Sequence, residues 1–282
     1  MMIRRLPHPA LRPFIKVIWA SAGAGEPRSV GIARERVLPT GTMHLVFRLS
    51  EHPLRVFDDE ADLIGRTIGC AVVGGARSES YIRDVSKPVG SVGAQFWPGA
   101  APLLIGVPAD ELSNRHTDLE DIWGRSASNA REHIAEAGPI ERQLDAFEAL
   151  LVTWLPRVRG LHPAIASALE RFATSAGVSE VVKESEISHR RFIGLFRHAV
   201  GLTPKLYCRV LRFQEALQHI SAGSAASWVD IALTAGYSDQ PHFSREFLEF
   251  AGLSPRQYHA RSPHWANHVP LLHSGVAGAR PR

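Results

Sequence analysis

The side chains best equipped for chemistry in this 282-residue chain are hydrogen-bonding and cationic groups. Gln240, Pro241, His242 and Arg245 fall within six consecutive positions. Glutamine offers the paired donor and acceptor that match an adenine edge, and arginine the fork that matches guanine. Upstream, His189, Arg190, Arg191, Ile193, Gly194 and Arg197 share a second short segment, followed by Lys205 and Arg209. Such cations can hold phosphates, and an isoleucine can touch a thymine methyl. Catalytic patterns are missing: there is no Walker loop, no G-x-S-x-G elbow, no HExxH and no dinucleotide glycine fingerprint. Cys70 and Cys208 are too few and too far apart for a zinc cluster or a disulfide framework. His44 lies between Met43 and Leu45 with no second ligand at metal spacing. The expectation is therefore no enzyme, no metal and no cofactor.

The elements that must position these groups differ along the chain. Residues 14–20, 42–49, 69–74 and 89–97 are short β-branched and aromatic runs separated by Gly/Pro/Ser turns, which predicts strands of a barrel or sandwich. Ile140, Leu144, Phe147, Leu151 and Trp154 recur at steps of four and three, an amphipathic helix between Pro139 and Pro156. Its stripe could be a dimer seam or a cover for the β domain. Residues 156–163 read as a linker, and the chain beyond is helical to about Tyr258.

Comparing the C-terminal third with itself exposes a repeat at a shift of 51 residues. Phe192 falls on Phe243, Phe196 on Phe247, Gly201-Leu202-Thr203-Pro204 on Gly252-Leu253-Ser254-Pro255, and Tyr207 on Tyr258. Each copy holds a helix, a glycine turn and a proline that opens the next helix. Before the second copy, Ser227 and Asp230 form a capping-box pattern and Gly236 supplies a tight turn. Before the first, Ser188 is an N-cap, preceded by Glu186-Ile187.

Residues 232–247, Ala-Leu-Thr-Ala-Gly-Tyr-Ser-Asp-Gln-Pro-His-Phe-Ser-Arg-Glu-Phe, with the Gly252–Pro255 turn, closely resemble the signature of the AraC/XylS family of regulators. The resemblance covers about residues 160–260. It implies two helix-turn-helix units joined by a central helix, the second helix of each entering a major groove. A helix from Pro204 to Ile220 would be about 25 Å long, long enough to hold two reading helices about one DNA turn apart, near 34 Å. By this resemblance Gln240, His242 and Arg245 face bases, with Pro241 at a position that also carries base contacts in the family. Arg245 has the alternative of a phosphate or structural role. His189, Arg190, Ile193 and Gly194 are the exposed positions of the first unit, which is expected to add less hydrogen-bonded base readout, and Arg190, Arg191, Arg197, Lys205 and Arg209 are available for phosphates; the bland alternative for each cation is a solvated surface charge. Ile193 and Gly194 stand where family members often carry Gln and Arg, and Glu186 stands where they carry glycine. The aromatic residues Phe192, Phe196, Phe213, Phe243, Phe247, Trp228 and Tyr237 recur at helical spacing and are read as core.

Several N-terminal segments resemble a poorly characterised domain found on some AraC-like proteins: Leu38–Gly41, Val73-Gly74-Gly75, 92–100 and 106–112. By analogy the expectation is α+β: a β-rich, cupin-like barrel with helices over residues 1–156, an all-α DNA-binding domain over 157–262, and a loosely ordered tail over 263–282. Trp19, His44, Arg77, Gln95 and Trp97 are candidates for an effector pocket, each with ordinary packing as the alternative. Double-stranded DNA is the expected partner, with a small-molecule effector, RNA polymerase for an activator, and a second copy of the chain as further candidates. A protein-binding sensor and a non-specific DNA binder are the competing readings. A formal charge of +4 suits a polyanionic partner without deciding it. With no apolar run long enough to span a bilayer and no signal peptide behind Met1, the expected compartment is the cytoplasm.

Overall fold

The apolar runs expected to be strands are strands, but they form only half of the β structure. The computed structural model describes residues 1–23, 32–155, 160–222, 227–261, 263 and 265–272. Strands β1 (Met2–Arg5), β2 (Ile15–Ala22), β3 (Ile32–Val37), β4 (His44–Arg48), β5 (Arg55–Phe57), β6 (Arg66–Thr67), β7 (Ala71–Gly74), β8 (Tyr81–Asp84), β9 (Gly90–Phe96) and β10 (His116–Asp118) precede the helical region, and β11 (His268–Leu272) follows it. They pair antiparallel in two sheets of order β1-β2-β9-β4-β7-β10 and β11-β3-β8-β5-β6. Among the described residues the expected β-rich domain is built as these two sheets. The sheets face each other: Tyr81 of β8 stands edge-on to His116 of β10 with ring centroids 4.4 Å apart, and Val56 clusters with Val72.

Alternation along the larger sheet decides what covers it. Ile18, Ala20, Leu45, Phe47, Val73, Val92, Ala94 and Phe96 are buried on one face. Helices α1 (Ala101–Ile105), α2 (Glu120–Trp123), α3 (Arg125–Glu136) and α4 (Ile140–Thr153) follow. On α4, Leu144, Phe147 and Leu151 are buried, and Phe147 meets Phe47 edge to face at 5.9 Å. The 140–154 stripe is thus spent as a cover on the sheet. The opposite face carries a polar row that crosses four paired strands: Gln95, His44, Gly74 and His116.

The helical region comprises α5 (Pro163–Ala173), α6 (Val178–Glu184), α7 (His189–Val200), α8 (Pro204–Ser221), α9 (Trp228–Thr234), α10 (Gln240–Ala251) and α11 (Pro255–Arg261). Its caps follow the sequence. Thr203 Oγ1 accepts from Leu206 N–H at 3.3 Å, Ser227 and Asp230 make the reciprocal capping box, and Gly201 and Gly252 close α7 and α10 at φ of 89° and 66°. These are left-handed conformations that glycine adopts without a Cβ clash.

The tail departs from expectation. Residues 268–272 form β11, which pairs with β3 and buries Val269 and Leu271. Pro270 is tolerated because β11 is an edge strand. The rest of the predicted tail, 273–282, and the linker residues 156–159, which contain the expected domain boundary, lie outside the described residues.

β11 is one of several ties between the sheets and the helical region. Leu38 N–H donates to Asn267 O at 2.9 Å, while Gln214 Nε2 on α8 donates to Pro39 O at 2.7 Å and Asn267 Oδ1 at 2.8 Å. Gly201 is seated so closely that a Cβ there would lie 3.0 Å from Ala109 O and 3.2 Å from the Ala76 methyl. No helix among the described residues is long and apolar enough to cross a membrane.

Candidate nucleic-acid interface

Two helices of equal length, α7 and α10, present matching polar faces because their apolar residues recur every three to four positions. On α7, Phe192, Phe196 and Val200 point inward. Phe192 and Phe196 stack at 6.1 Å, and Phe196 meets Tyr207 edge-on at 5.6 Å. A fully buried phenylalanine contributes about 2–3 kcal/mol by removal from water, which fixes which face is left outside. His189, Arg190, Arg191, Gly194 and Arg197 are exposed there, with Ile193 half-buried. On α10, Phe243, Phe247 and Phe250 are buried, leaving Pro241 and Arg245 exposed and Gln240 and His242 half-buried.

Local contacts separate these candidates. Asp239 caps α10, its Oδ1 accepting from His242 N–H at 2.7 Å; that bond comes first among the causes holding the Asp239 carboxyl below its ordinary range. The His242 ring is engaged inside the protein, with Nδ1 3.1 Å from Ser238 Oγ and its face edge-on to Tyr237 at 5.3 Å. Among the described residues, the Gln240 and Arg245 side chains make no intramolecular hydrogen bond or ion pair. They are left available to a ligand.

The charge distribution is one-sided. Between Glu186 and Glu215 the chain has no acidic residue and six Lys or Arg. Arg190, Arg191, Arg197 and Lys205 are exposed and, among the described residues, have no carboxylate partner. Arg209 and Arg212 turn inward. Arg209, expected to serve phosphate, instead donates to buried Glu246 at 2.7 Å and to Glu249 at 2.5 Å, with its guanidinium 5.0 Å from the Phe250 ring centroid. Arg212 lies 3.6 Å from Glu246 and over Tyr237. Local sequence reasoning missed this clamp between α8 and α10, because its partners are 37 residues apart.

Glu186 takes the turn between α6 and α7 at φ 57°. A non-glycine residue is strained there, by roughly 1–2 kcal/mol. Glu186→Gly is therefore expected to stabilise the chain by about 0.5–1 kcal/mol in denaturant unfolding, despite glycine's larger unfolded-state entropy. A destabilised variant would mean the turn holds Glu186 by contacts that outweigh the strain.

Of the five effector candidates, the structure gathers three on one face of the larger sheet. Trp19 lies flat on Gly93, where a Cβ would meet the indole at 2.3 Å. Gln95 Nε2 donates to Thr42 Oγ1 at 2.9 Å. His44 covers Gly74, and burial first, then the charges of Arg83, Arg77 and His268, lowers its pKa to about 4. Arg77 approaches the far end of the same face, its guanidinium 4.8 Å from the Tyr81 ring centroid. Trp97 does not join them. It is exposed at a strand end, donating Nε1–H to Arg12 O at 3.0 Å under Lys16. Residues not anticipated here are Tyr81, His116 and the buried Glu35, whose carboxylate holds Arg83 and, at 2.9 Å, His268 Nδ1 of β11. Two surface grooves, of about 360 and 330 Å³, lie elsewhere, against His162–Ser167 with α6 and against Trp123 and Trp154.

Two parts of the chain match known families. Residues 181–261 match a family described as a helix-turn-helix domain, and residues 3–118 match a domain of unknown function. The chain is 34% identical over 87 residues to the HTH-type transcriptional activator RhaS of Escherichia coli, 31% of each protein. It is 28% identical over 141 residues to the HTH-type transcriptional regulator ArgR of Pseudomonas aeruginosa, 45% of this chain and 42% of that one. The chain thus covers less than half the length of these relatives. The solved structure of ToxT from Vibrio cholerae is similar over 81% of this chain and 96% of its own, at 10% identity and a TM-score of 0.43.

Proposed function

We propose that the chain is a sequence-specific transcriptional regulator of AraC type, whose helix-turn-helix region over residues 181–261 inserts α7 and α10 into successive major grooves. The observation that carries this reading is the pair of matched polar helix faces, one within an acid-free segment of six cations, joined by a single rigid helix. At 18 residues, α8 is about 27 Å long, close to the spacing of successive grooves on one side of a duplex. In this reading Gln240 and Arg245 read bases, with Pro241 and His242 packed beside them. On α7, His189 and Ile193 approach bases, and Arg190, Arg197 and Lys205 neutralise phosphates. The N-terminal domain takes a small-molecule effector on the face that carries Trp19, His44, Gln95 and Arg77, and passes its state to the helical region through the ties at β11, Pro39 and Gly201. RNA polymerase would be a partner if the chain activates, and a second copy would add a second pair of reading helices.

The test is selection of duplexes from a random pool by the full-length chain at fixed salt. The expected product is a motif of two half-elements centred about 10 base pairs apart. Recovery of an unenriched pool, held only by salt-sensitive attraction, would replace this reading with non-specific DNA binding.

A further inference from the structure

Arg77, Tyr81, His116 and His44 meet at one corner between the two sheets. Tyr81 stands 4.4 Å from His116, His116 stands 5.8 Å from His44, and the Arg77 guanidinium lies over Tyr81. His116 is 6% exposed, and its Nε2 is buried with no hydrogen-bond partner; Arg77 Nε is buried and unpartnered as well. Among the described residues no carboxylate lies within ion-pair distance of Arg77. The nearby buried acid, Glu35, is already engaged by Arg83 and His268. Burial first, then the charges of His44, Arg77, Arg83 and Arg66, holds His116 well below the ordinary imidazole range. The ring is therefore neutral, and one of its nitrogens carries a proton it can donate. A partly exposed guanidinium whose Nε is buried and unpartnered, and which feels Glu79 only as a charge beyond ion-pair distance, beside an unsatisfied imidazole, is a costly arrangement in a folded protein.

We propose that this corner binds the oxyanion of a small effector, a carboxylate or phosphate, with Arg77 supplying the charge and His116 Nε2–H a hydrogen bond. The inference rests on reading the N-terminal domain as effector-responsive, and it names the class of ligand. Arg77 is partly exposed, so the anion enters from its side. The corner also has a route to the helical region. Ala76, adjacent to Arg77, is fully buried against the Gly201 turn that ends α7. Asn114 Oδ1 accepts from Ser78 N–H at 2.9 Å and joins the Arg77 loop to the segment leading into His116. Ala109 O, from that same segment, is the other wall of the Gly201 seat. An anion between Arg77 and His116 therefore bridges the two loops that hold α7.

The experiment compares the thermal midpoint of the full-length chain in chloride, acetate, benzoate and inorganic phosphate at equal pH and ionic strength. At least one oxyanion should give a saturable rise of about 3 °C or more over chloride. The rise should vanish in Arg77→Met, persist in weakened form in Arg77→Lys, and be unchanged in Lys87→Met, which alters an exposed cation elsewhere. Response to the carboxylates alone or to phosphate alone assigns the source. A flat response to all three, or an equal rise in wild type and Arg77→Met, overturns the proposal. Binding of a selected duplex in the same preparations separates the two readings. A chain that binds its motif yet ignores every oxyanion retains its function as a DNA reader and loses this site.

Discussion

Alanine at Arg245 is expected to weaken binding to the preferred duplex by roughly 10- to 100-fold, and alanine at Gln240 by a similar factor. Both side chains project from α10 without an internal partner, so removing them leaves no buried group unsatisfied and the fold intact. The loss should be confined to the cognate base pair. With Arg245→Ala, the selected motif should relax at one position of one half-element and keep the other half-element unchanged. Competitive binding to duplexes substituted one pair at a time measures this. If Arg245 holds a phosphate, affinity falls equally for every sequence and the dependence of log affinity on log salt becomes shallower by about 0.9. Ala at His242 should change specificity less, because that ring already contacts Ser238 and Tyr237.

The second large effect concerns the clamp that aims α10. Glu246 is 4% exposed and faces Arg209 on α8, which is itself a quarter exposed. Removing one partner of a buried pair leaves the other charge unsatisfied at about 3–5 kcal/mol, and the partial exposure of Arg209 brings this to about 2–3 kcal/mol. Glu246→Ala should lower the denaturant midpoint accordingly at an unchanged slope. Glu249→Ala removes the more exposed second partner and should cost under about 1 kcal/mol. Equal losses in the two variants would show that Glu246 is no special anchor for α10.

The parts of the molecule legible in the sequence are those whose stability is written locally. The phenylalanine pairs of α7 and α10, their N-caps and their glycine ends all lie within one helix length, so period and spacing reveal them. β2, β4, β7 and β9 show because apolar residues alternate or run together against α4. The second sheet stays hidden for a physical reason. β3 reads Ile-Ala-Arg-Glu-Arg-Val and β8 Tyr-Ile-Arg-Asp, and their polar residues look like surface until Arg83 finds Glu35, 48 positions away. β11 depends on the same carboxylate across 233 positions, which no local pattern can encode. At the candidate sites the division repeats. Gln240 and Arg245 are singled out as candidates by the motif that surrounds them, whereas the engagement of Arg209 by Glu246 shows only in the fold. His116 sits in a three-residue strand whose partner, β7, lies more than 40 residues upstream, so only the folded sheets bring it to Arg77.

The most direct test of two reading helices fixed on one rod is the spacing of their targets. Full-length chain should be titrated against a duplex carrying both selected half-elements, and against the same duplex with five base pairs inserted between them. The insertion turns one half-element to the opposite side of the helix, about half a turn away. Because α8 packs on α7 through Phe196 and Tyr207 and holds α10 through the Arg209 pair with Glu246, affinity should fall by roughly 100-fold or more, to that of a single half-element. Unchanged affinity for the lengthened duplex would contradict the account and show that α7 and α10 do not read DNA as one body.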